Sequence, residues 1–421
     1  MQHVIIGNGP AGVIAAETIR KYRTQDRIIM IGDEPEPPYS RMAIPYLLHG
    51  NIDEHGTHLR KQADHFARLK IEQVAGRVKR IDHAGKKVEL DHGGTLPFDR
   101  LLLATGSVPA RPPIPGIDSP GVHNCWTLAD ARNIIGAARK GTRVLQMGAG
   151  FIGCIILEAL VVRGVSLTVV EMGDRMVPRM MGEGAGQMIR RWCEAKGIVV
   201  YTGARVERIE PIAGGALRVS LSSGLTLEVD VIISATGVKP NIGVVKECGI
   251  DCTTGIMVDA SMQTSVPGIY AAGDCAEAFD PATGKTVVSA IQPNAAEQAR
   301  CAGMNMAGHV RVQQGVTQIN VLDTLGLIST SFGQWEGVPG GERAELTDAD
   351  AYKYIRLEFN GGLLIGANTI GLTEHVGVLR GLIESKVRLG PWKAHLMADP
   401  FRLKEAYIAC TQKQDAWQAA A

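Results

Sequence analysis

The sequence predicts an α/β chain of two similar parallel-sheet units followed by an α+β segment. Three observations predict it: a glycine-rich strand-to-helix turn that occurs twice, a closing Ala-Thr-Gly that also occurs twice, and a change of pattern near residue 311. At 421 residues the chain exceeds what one core supports, so two or three domains are expected. Fifty glycines with 5% aromatics describe backbone that approaches other groups closely.

Residues 4–12, VIIGNGPAG, run from a buried strand into Gly7-x-Gly9-x-x-Gly12, with Pro10 and Ala11 opening a helix through Val13, Ala16 and Ile19. A second strand, Ile28 to Ile31, ends at Gly32-Asp33-Glu34. Residues 143–153, RVLQMGAGFIG, repeat the device with Gly148, Gly150 and Gly153, with Phe151 and Ile152 entering a helix and the strand SLTVVE ending at Glu171. Each copy lies between strand and helix and is followed by an acid, the setting of a Rossmann-like dinucleotide-binding unit. A Cβ at these glycines would hold a pyrophosphate away from the backbone amides and the positive end of the helix. Glu171 can accept from an adenosine ribose and would repel a 2′-phosphate, so it favours NADH over NADPH, and Arg175 beyond it is read as solvated.

LLLATGSVP at 101–109 is echoed by VIISATGVKP at 231–240, which adds Ala104, Thr105 and Gly106, and Thr236 and Gly237, to the candidate residues. Between fingerprint and closing motif, RVKRID and KKVEL in one half and RVERIE and LRVSLSS in the other predict small antiparallel additions.

Charge is balanced, 44 Lys+Arg against 43 Asp+Glu, which excludes an overall basic nucleic-acid or anionic-membrane binder. MQHVIIGNG enters a strand at once, without a basic or apolar leader, and no apolar run approaches the roughly 18 residues of a membrane span. A cytoplasmic protein is expected. The eight cysteines form no Cys-x-x-Cys pair, which argues against zinc, a cysteine-held iron-sulfur cluster and a disulfide scaffold, so no metal is expected.

GIYAAGDCAEAF at 268–279 places Gly273 and Asp274 after a further strand. An aspartate there could simply cap the next helix. Fingerprint, ATGSVP, second fingerprint, ATGVKPN and QTSVPGIYAAGDCAE, in that order over residues 1–310, resemble the FAD-dependent pyridine nucleotide-disulfide oxidoreductase superfamily. The resemblance implies a glutathione-reductase-like pair of Rossmann-like domains. An FAD-binding domain covers 1–112 and 241–310, with FAD on Gly7, Gly9, Pro10, Ala11, Gly12, Val78, Ala104, Thr105, Gly106, Gly273 and Asp274. An NAD(H)-binding domain covers 113–240, with NADH on Gly148, Gly150, Phe151, Ile152, Gly153, Glu171, Thr236 and Gly237.

PPYSRMAIPYLLHG at 37–50 is too rich in proline for an ordinary helix and too apolar for an ordinary loop. In the superfamily the corresponding segment runs beside the flavin ring. Members resembling coenzyme A-disulfide reductase keep one cysteine there, where this chain has Met42, and glutathione-reductase-like members carry a cysteine pair on the first FAD helix, where this chain has VIAAETIRK. A thioether cannot form a thiolate or cycle through a sulfenic acid, so dithiol chemistry is disfavoured. The stretch also resembles apoptosis-inducing factor and bacterial ferredoxin and rubredoxin reductases. That implies Asp33, with Glu34 as fallback, on the adenosine ribose, Arg41 at the flavin or its pyrophosphate, and Tyr46 where relatives place a lysine near flavin N5. The alternative for Tyr46 is a packed aromatic.

QPNAAEQARCAGMNM predicts a helix to Met306 opened by Pro293 and Asn294. The resemblance implies that its amino end faces the flavin, with Gln292, Pro293 and Asn294 as contacts, where the helix dipole would favour the charge of the reduced ring. Many relatives carry a glutamate two residues after the third glycine of the second fingerprint. Here that residue is Ile155, and Glu158 is nearly one turn on. Cys154 and Cys275 are read as packing residues.

Beyond residue 311, INVLDTLGLISTSFG and YKYIRLEFNGGLLIGANTIG read as strands with a hairpin at Asn360-Gly361. EHVGVLRGLIES and PWKAHLMADPFRLKEAYIACTQ read as amphipathic helices. The resulting α+β domain, 311–421, is expected to cap the flavin or form a homodimer interface, and Trp392 and Phe401 are candidates for a docking surface. The expected function is that of an FAD-dependent NADH oxidoreductase that passes electrons to a ferredoxin, a rubredoxin or another redox subunit without a redox-active cysteine. The alternatives are a peroxide-forming NADH oxidase and a flavoprotein like apoptosis-inducing factor, whose redox state controls binding.

Overall fold

Strand Gln2–Ile6 has no polar alternation and sits at the centre of a five-stranded parallel sheet. Arg27–Gly32 and Arg100–Leu103 flank it, with Ile71–Ala75 and Ile269–Ala271 outside them. Val4, Ile5, Ile28, Ile29, Leu101 and Leu102 are fully buried, as expected for a parallel sheet covered on both faces. The computed structural model describes residues 1–281, 283–315, 318–374 and 376–412. They fall into two compact units, Met1–Ala110 with Trp126–Leu128 and Val238–Val316, and Arg111–Cys125 with Ala129–Gly237 and Thr317–Ala421.

In the first unit helix Pro10–Tyr22 packs along helix Gln292–Met306. Small residues allow the close approach, since a Cβ on Gly303 would lie 3.0 Å from the Ala15 carbonyl oxygen. The expected opening of the second helix at residues 292–294 is found, with Pro293 in its first turn. The closing motifs end on each other, because Ser107–Pro109 pairs antiparallel with Val238–Pro240.

The second unit repeats the parallel sheet in the order Val199–Thr202, Ser166–Glu171, Arg143–Met147, Val231–Ser234, Val122–Asn124. Its last strand comes from chain preceding the fingerprint, whereas the matching place in the first sheet is filled by Ile269–Ala271, long after it. The antiparallel additions form as expected, Val78–Asp82 with Lys87–Leu90 and Thr95–Pro97 in one unit, and Val206–Pro211 with Leu217–Leu221 and Thr226–Val229 in the other.

The second unit also holds a five-stranded antiparallel sheet of Ile319–Thr324, Leu327–Gly333, Leu363–Ile370, Lys353–Asn360 and Glu342–Asp348. Asn360 pairs with Leu363, so Gly361, at φ +57°, and Gly362 make the hairpin turn, and Asn360 ends the strand. Helices Val376–Glu384, Trp392–Ala398 and Leu403–Thr411 cover one face. The helical stretch expected from Pro391 to Gln412 forms as two helices that part at Pro400, which lacks an N–H and disfavours a helical residue before it. Trp392 is core, 8% exposed. His375, within the expected EHVGVLRGLIES helix, and residues 413–421 lie outside the described residues.

Candidate cofactor and coenzyme sites

The two glycine turns share one construction. Gly7 stands at φ +112° and Gly148 at φ +97°, and Cβ atoms there would strike the carbonyl oxygens of Ala104 and Ala235 at 2.0 and 2.5 Å. A Cβ on Gly12 or Gly153 would strike the carbonyl of Gly7 or Gly148 at 1.9 or 2.5 Å. At Gly9 and Gly150 nothing of the protein lies within 4 Å of an added Cβ. The outer glycines of each turn are required by packing, and the middle one faces an open cradle at a helix amino end. That arrangement admits a phosphate against backbone amides.

Around the first turn, Ala104 N donates to Ile6 O at 2.8 Å, Thr105 Oγ1 donates to Asn241 O at 2.7 Å, and Gly106 takes φ +66°. Gly273, at φ +85°, would place a Cβ 3.2 Å from that of Ala11 and 3.7 Å from that of Ala295, so the aspartate turn meets the starts of both long helices. Asp274 is largely buried, and Ser107 Oγ donates to its Oδ2 at 2.7 Å. Burial pushes its carboxyl up, and the Ser107 hydroxyl and Arg41 offset that only in part.

Residues 37–50 form a 3₁₀ turn, Arg41–Ala43, and a short helix, Ile44–His49. The helix tolerates Pro45 because its first-turn N–H would have no partner within the helix. Ile44, Leu47 and Leu48 turn inward, while Met42 is 49% and Tyr46 58% exposed, so Tyr46 is not the packed aromatic of the alternative reading. Ser40 Oγ donates to Gln292 Oε1 at 2.7 Å, which sets this stretch against the amino end of helix Gln292–Met306. The residue before that helix, Ile291, makes no side-chain cap. Asn294 Nδ2 donates to Ser289 Oγ at 2.7 Å.

The two acids after strand Arg27–Gly32 differ. Glu34 accepts from Arg41 at 2.5 Å and from the Tyr39 hydroxyl at 2.6 Å. Arg41 also donates to Trp126 O at 2.7 Å and lies 5.5 and 5.3 Å from the Tyr39 and Trp126 ring centres. Asp33 is exposed and pairs with exposed Arg77 at 3.0 Å, which leaves it the more available for a ribose. Val78 has its side chain in the core, so what it offers a nucleotide is backbone. A cavity of about 470 Å³ adjoins Asn8, Gly32 and Glu34 on this side.

In the second unit Glu171 is 9% exposed. Its carboxylate accepts from Ala149 N and Gly173 N, each at 2.7 Å, which fixes its orientation and leaves lone pairs for ribose hydroxyls. Arg175 does not fold back toward it. Its guanidinium donates to Met181 O at 2.9 Å and pairs with Asp174 at 2.7 Å. Phe151 and Ile152 form the first turn of helix Phe151–Val162, where Ile155 and Glu158 are half-buried. Thr236 Oγ1 lies 3.3 Å from Ser234 Oγ, and Gly237 takes φ +100°. Cys154 and Cys275 are fully buried, and burial pushes both thiols up.

The sequence reading missed Tyr39, Ser107, Trp126 and Gln298. Trp126 Nε1 donates to Ser107 O at 3.0 Å, and Gln298 Oε1 accepts from Gly273 N at 2.8 Å. Ser107 and Tyr39 stood inside recognised motifs, but nothing local marked Trp126 or Gln298. Among the described residues no helix is long and apolar enough to cross a membrane.

The family pattern for pyridine nucleotide-disulphide oxidoreductases matches residues 1–303. The chain is 34% identical over 414 residues to the NADH-dependent phenylglyoxylate dehydrogenase subunit epsilon of Aromatoleum evansii, covering 97% of this chain and 98% of that one. It is 32% identical over 310 residues to rhodocoxin reductase of Rhodococcus erythropolis, covering 73% and 72% of the two chains. Among solved structures it resembles the ferredoxin reductase for the CYP199A2 system from Rhodopseudomonas palustris, with TM-score 0.86 at 26% identity over 96% of this chain and 99% of that one. The chain therefore belongs to the pyridine nucleotide-disulphide oxidoreductase family, in its branch of FAD-dependent NAD(P)H oxidoreductases that work without a disulfide relay.

Proposed function

We propose that this chain takes a hydride from NADH onto FAD and hands the electrons to a protein acceptor, a ferredoxin- or rubredoxin-type carrier or a larger redox subunit. The observation that carries the reading is the pair of open glycine cradles at Gly9 and Gly150, followed by acids placed for two adenosine riboses. FAD, when bound, supplies a two-electron acceptor that can also release electrons singly. The first cradle fits it: the Gly9 opening accommodates a pyrophosphate, Asp274 presents a carboxylate oxygen to ribitol hydroxyls, and the helix amino end at Gln292 to Asn294 favours negative charge on the ring. Arg41, braced by Glu34, Tyr39 and Trp126, adds a fixed positive charge near the phosphates. Tyr46 and Met42 offer an exposed phenol and thioether beside the ring, with no sulfur that can carry electrons.

NADH belongs on the second cradle, where the buried Glu171 carboxylate accepts from the ribose and rejects a 2′-phosphate. The three-part division at residues 112, 240 and 310, a cytoplasmic location and a homodimer belong to the same reading. Ile155, where many relatives carry glutamate, supports a second one, a flavoprotein reduced slowly whose redox state governs binding.

Anaerobic mixing of the FAD-loaded protein with NADH tests both. Rapid bleaching of the flavin band, slow recovery in air and fast recovery with an oxidised ferredoxin are expected. Very slow bleaching would favour the second reading, and failure to hold FAD at all would reject both.

A further inference from the structure

We propose that Asn368, in the antiparallel sheet, is a positioning residue for NADH, which latches loop 172–182 in the conformation that braces the Gly148–Gly153 turn. The proposal rests on the reading of that turn as the NADH site.

Asn368 is fully buried. Its Oδ1 accepts from Gly182 N and its Nδ2 donates to Met180 O, both at 3.0 Å, so one carboxamide reads two peptide groups of a single loop. That loop leaves Glu171 and contains Val177, which is 1% exposed and stands at φ +50°. A β-branched residue in the left-handed region is strained. Such backbone persists only where its surroundings over-determine it, and it clusters at functional positions.

The strained residue touches the fingerprint. Val177 N donates to Ala149 O at 2.8 Å, and Ala149 N donates to Glu171 at 2.7 Å. Both polar backbone groups of the residue between Gly148 and Gly150 are thus held by loop 172–182 and the acid that precedes it. The loop's inner bracing comes from Met180 N and Met181 N on Val177 O, each at 2.9 Å, and from Arg175 Nε on Met181 O at 2.9 Å. Asn368 braces the same turn from 186 residues along the chain. Without it Met180 and Gly182 lose their sheet partner and Val177 can relax out of the left-handed region. Ala149 O then loses its donor, and the turn spends part of its time in forms that bind coenzyme poorly. Apparent affinity falls by the fraction of chains left competent.

The test titrates NADH, and separately ADP-ribose, into the FAD-loaded protein by calorimetry. N368A is expected to raise Kd for both by about tenfold while flavin content stays at the wild-type level. V177G removes the strain, because glycine adopts positive φ freely. In that background N368A is expected to change Kd by less than about threefold. N368D keeps the acceptor for Gly182 N, loses the donor to Met180 O, and provides a second variant if N368A does not fold; it is expected to raise Kd as well. Wild-type Kd in both N368A and N368D would overturn the proposal, as would an equal loss in the wild-type and V177G backgrounds. A wild-type protein that holds FAD but binds neither ligand would instead overturn the assignment of the turn to NADH.

Discussion

Ser107 donates its hydroxyl to Asp274 Oδ2 at 2.7 Å, yet burial still holds the Asp274 carboxyl above the ordinary aspartate range. A carboxyl whose folded value is raised adds stability below its unfolded value, near 3.9, and that contribution is lost as pH rises through the folded value. When ionised, the group therefore costs stability in the apoprotein. D274N should raise the apoprotein's thermal midpoint at pH 7, on the order of 2 °C, and the gain should vanish below about pH 4. The same variant should bind FAD about tenfold more weakly. Melting curves at two pH values and flavin titration check both.

The middle and last glycines of each turn should fail in different ways. G9A places its Cβ in open space at an ordinary φ of −72°, so the apoprotein should fold with a near-normal melting midpoint and lose FAD affinity by about a hundredfold or more. G12A drives its Cβ to 1.9 Å from Gly7 O and should instead lower stability and soluble yield. In the second unit G150A should spare flavin content and raise Kd for NADH. Circular dichroism with flavin and NADH titrations separates the cases.

Replacing Glu171 should not convert the chain into an NADPH enzyme. Its carboxylate holds Ala149 N and Gly173 N in addition to the ribose contact proposed for it. E171A should therefore raise KM for NADH by about tenfold and leave NADPH turnover low, because the turn loses its brace along with its repulsive charge. Steady-state kinetics with both coenzymes decides. A large gain with NADPH would show that the charge alone mattered.

The cysteines should be inert. Burial pushes Cys125 and Cys193 up to about 12 and Cys301 to about 11, and a thiol rather than a thiolate does not attack alkylating reagents. Iodoacetamide at pH 8 should label at most the half-buried Cys252 and Cys410 in native protein, before or after reduction by NADH. Mass spectrometry of the labelled peptides reads this out, and a thiol newly labelled after reduction would point to a sulfur relay.

Some of this molecule could be read directly from its residues and some could not. Gly7, Gly9 and Gly12, with their copies at 148, 150 and 153, were legible because sheet, turn and helix follow one another within about a dozen positions, and only glycine fits the close approach at the outer two positions of each turn. The antiparallel additions and the Asn360-Gly361 hairpin were legible for the same local reason.

The resemblance already put Asp33 before Glu34, but the physical reason was not legible, since it depends on where Arg41, Tyr39 and Trp126 meet, and Arg41 and Trp126 are 85 residues apart. Ser107 with Asp274, 167 residues apart, and Asn368 with Gly182 were hidden likewise.

The residues alone specified two glycine turns, the acids beyond them and the methionine where relatives keep a reactive sulfur. Those features follow from short-range sterics and from side-chain chemistry that no neighbour can change. Folding was needed to show why Asp33 stays available, which thiols are sealed and which distant amide steadies a strained turn. Burial and hydrogen-bond partnership are properties of the packed chain, set by residues that meet only after folding.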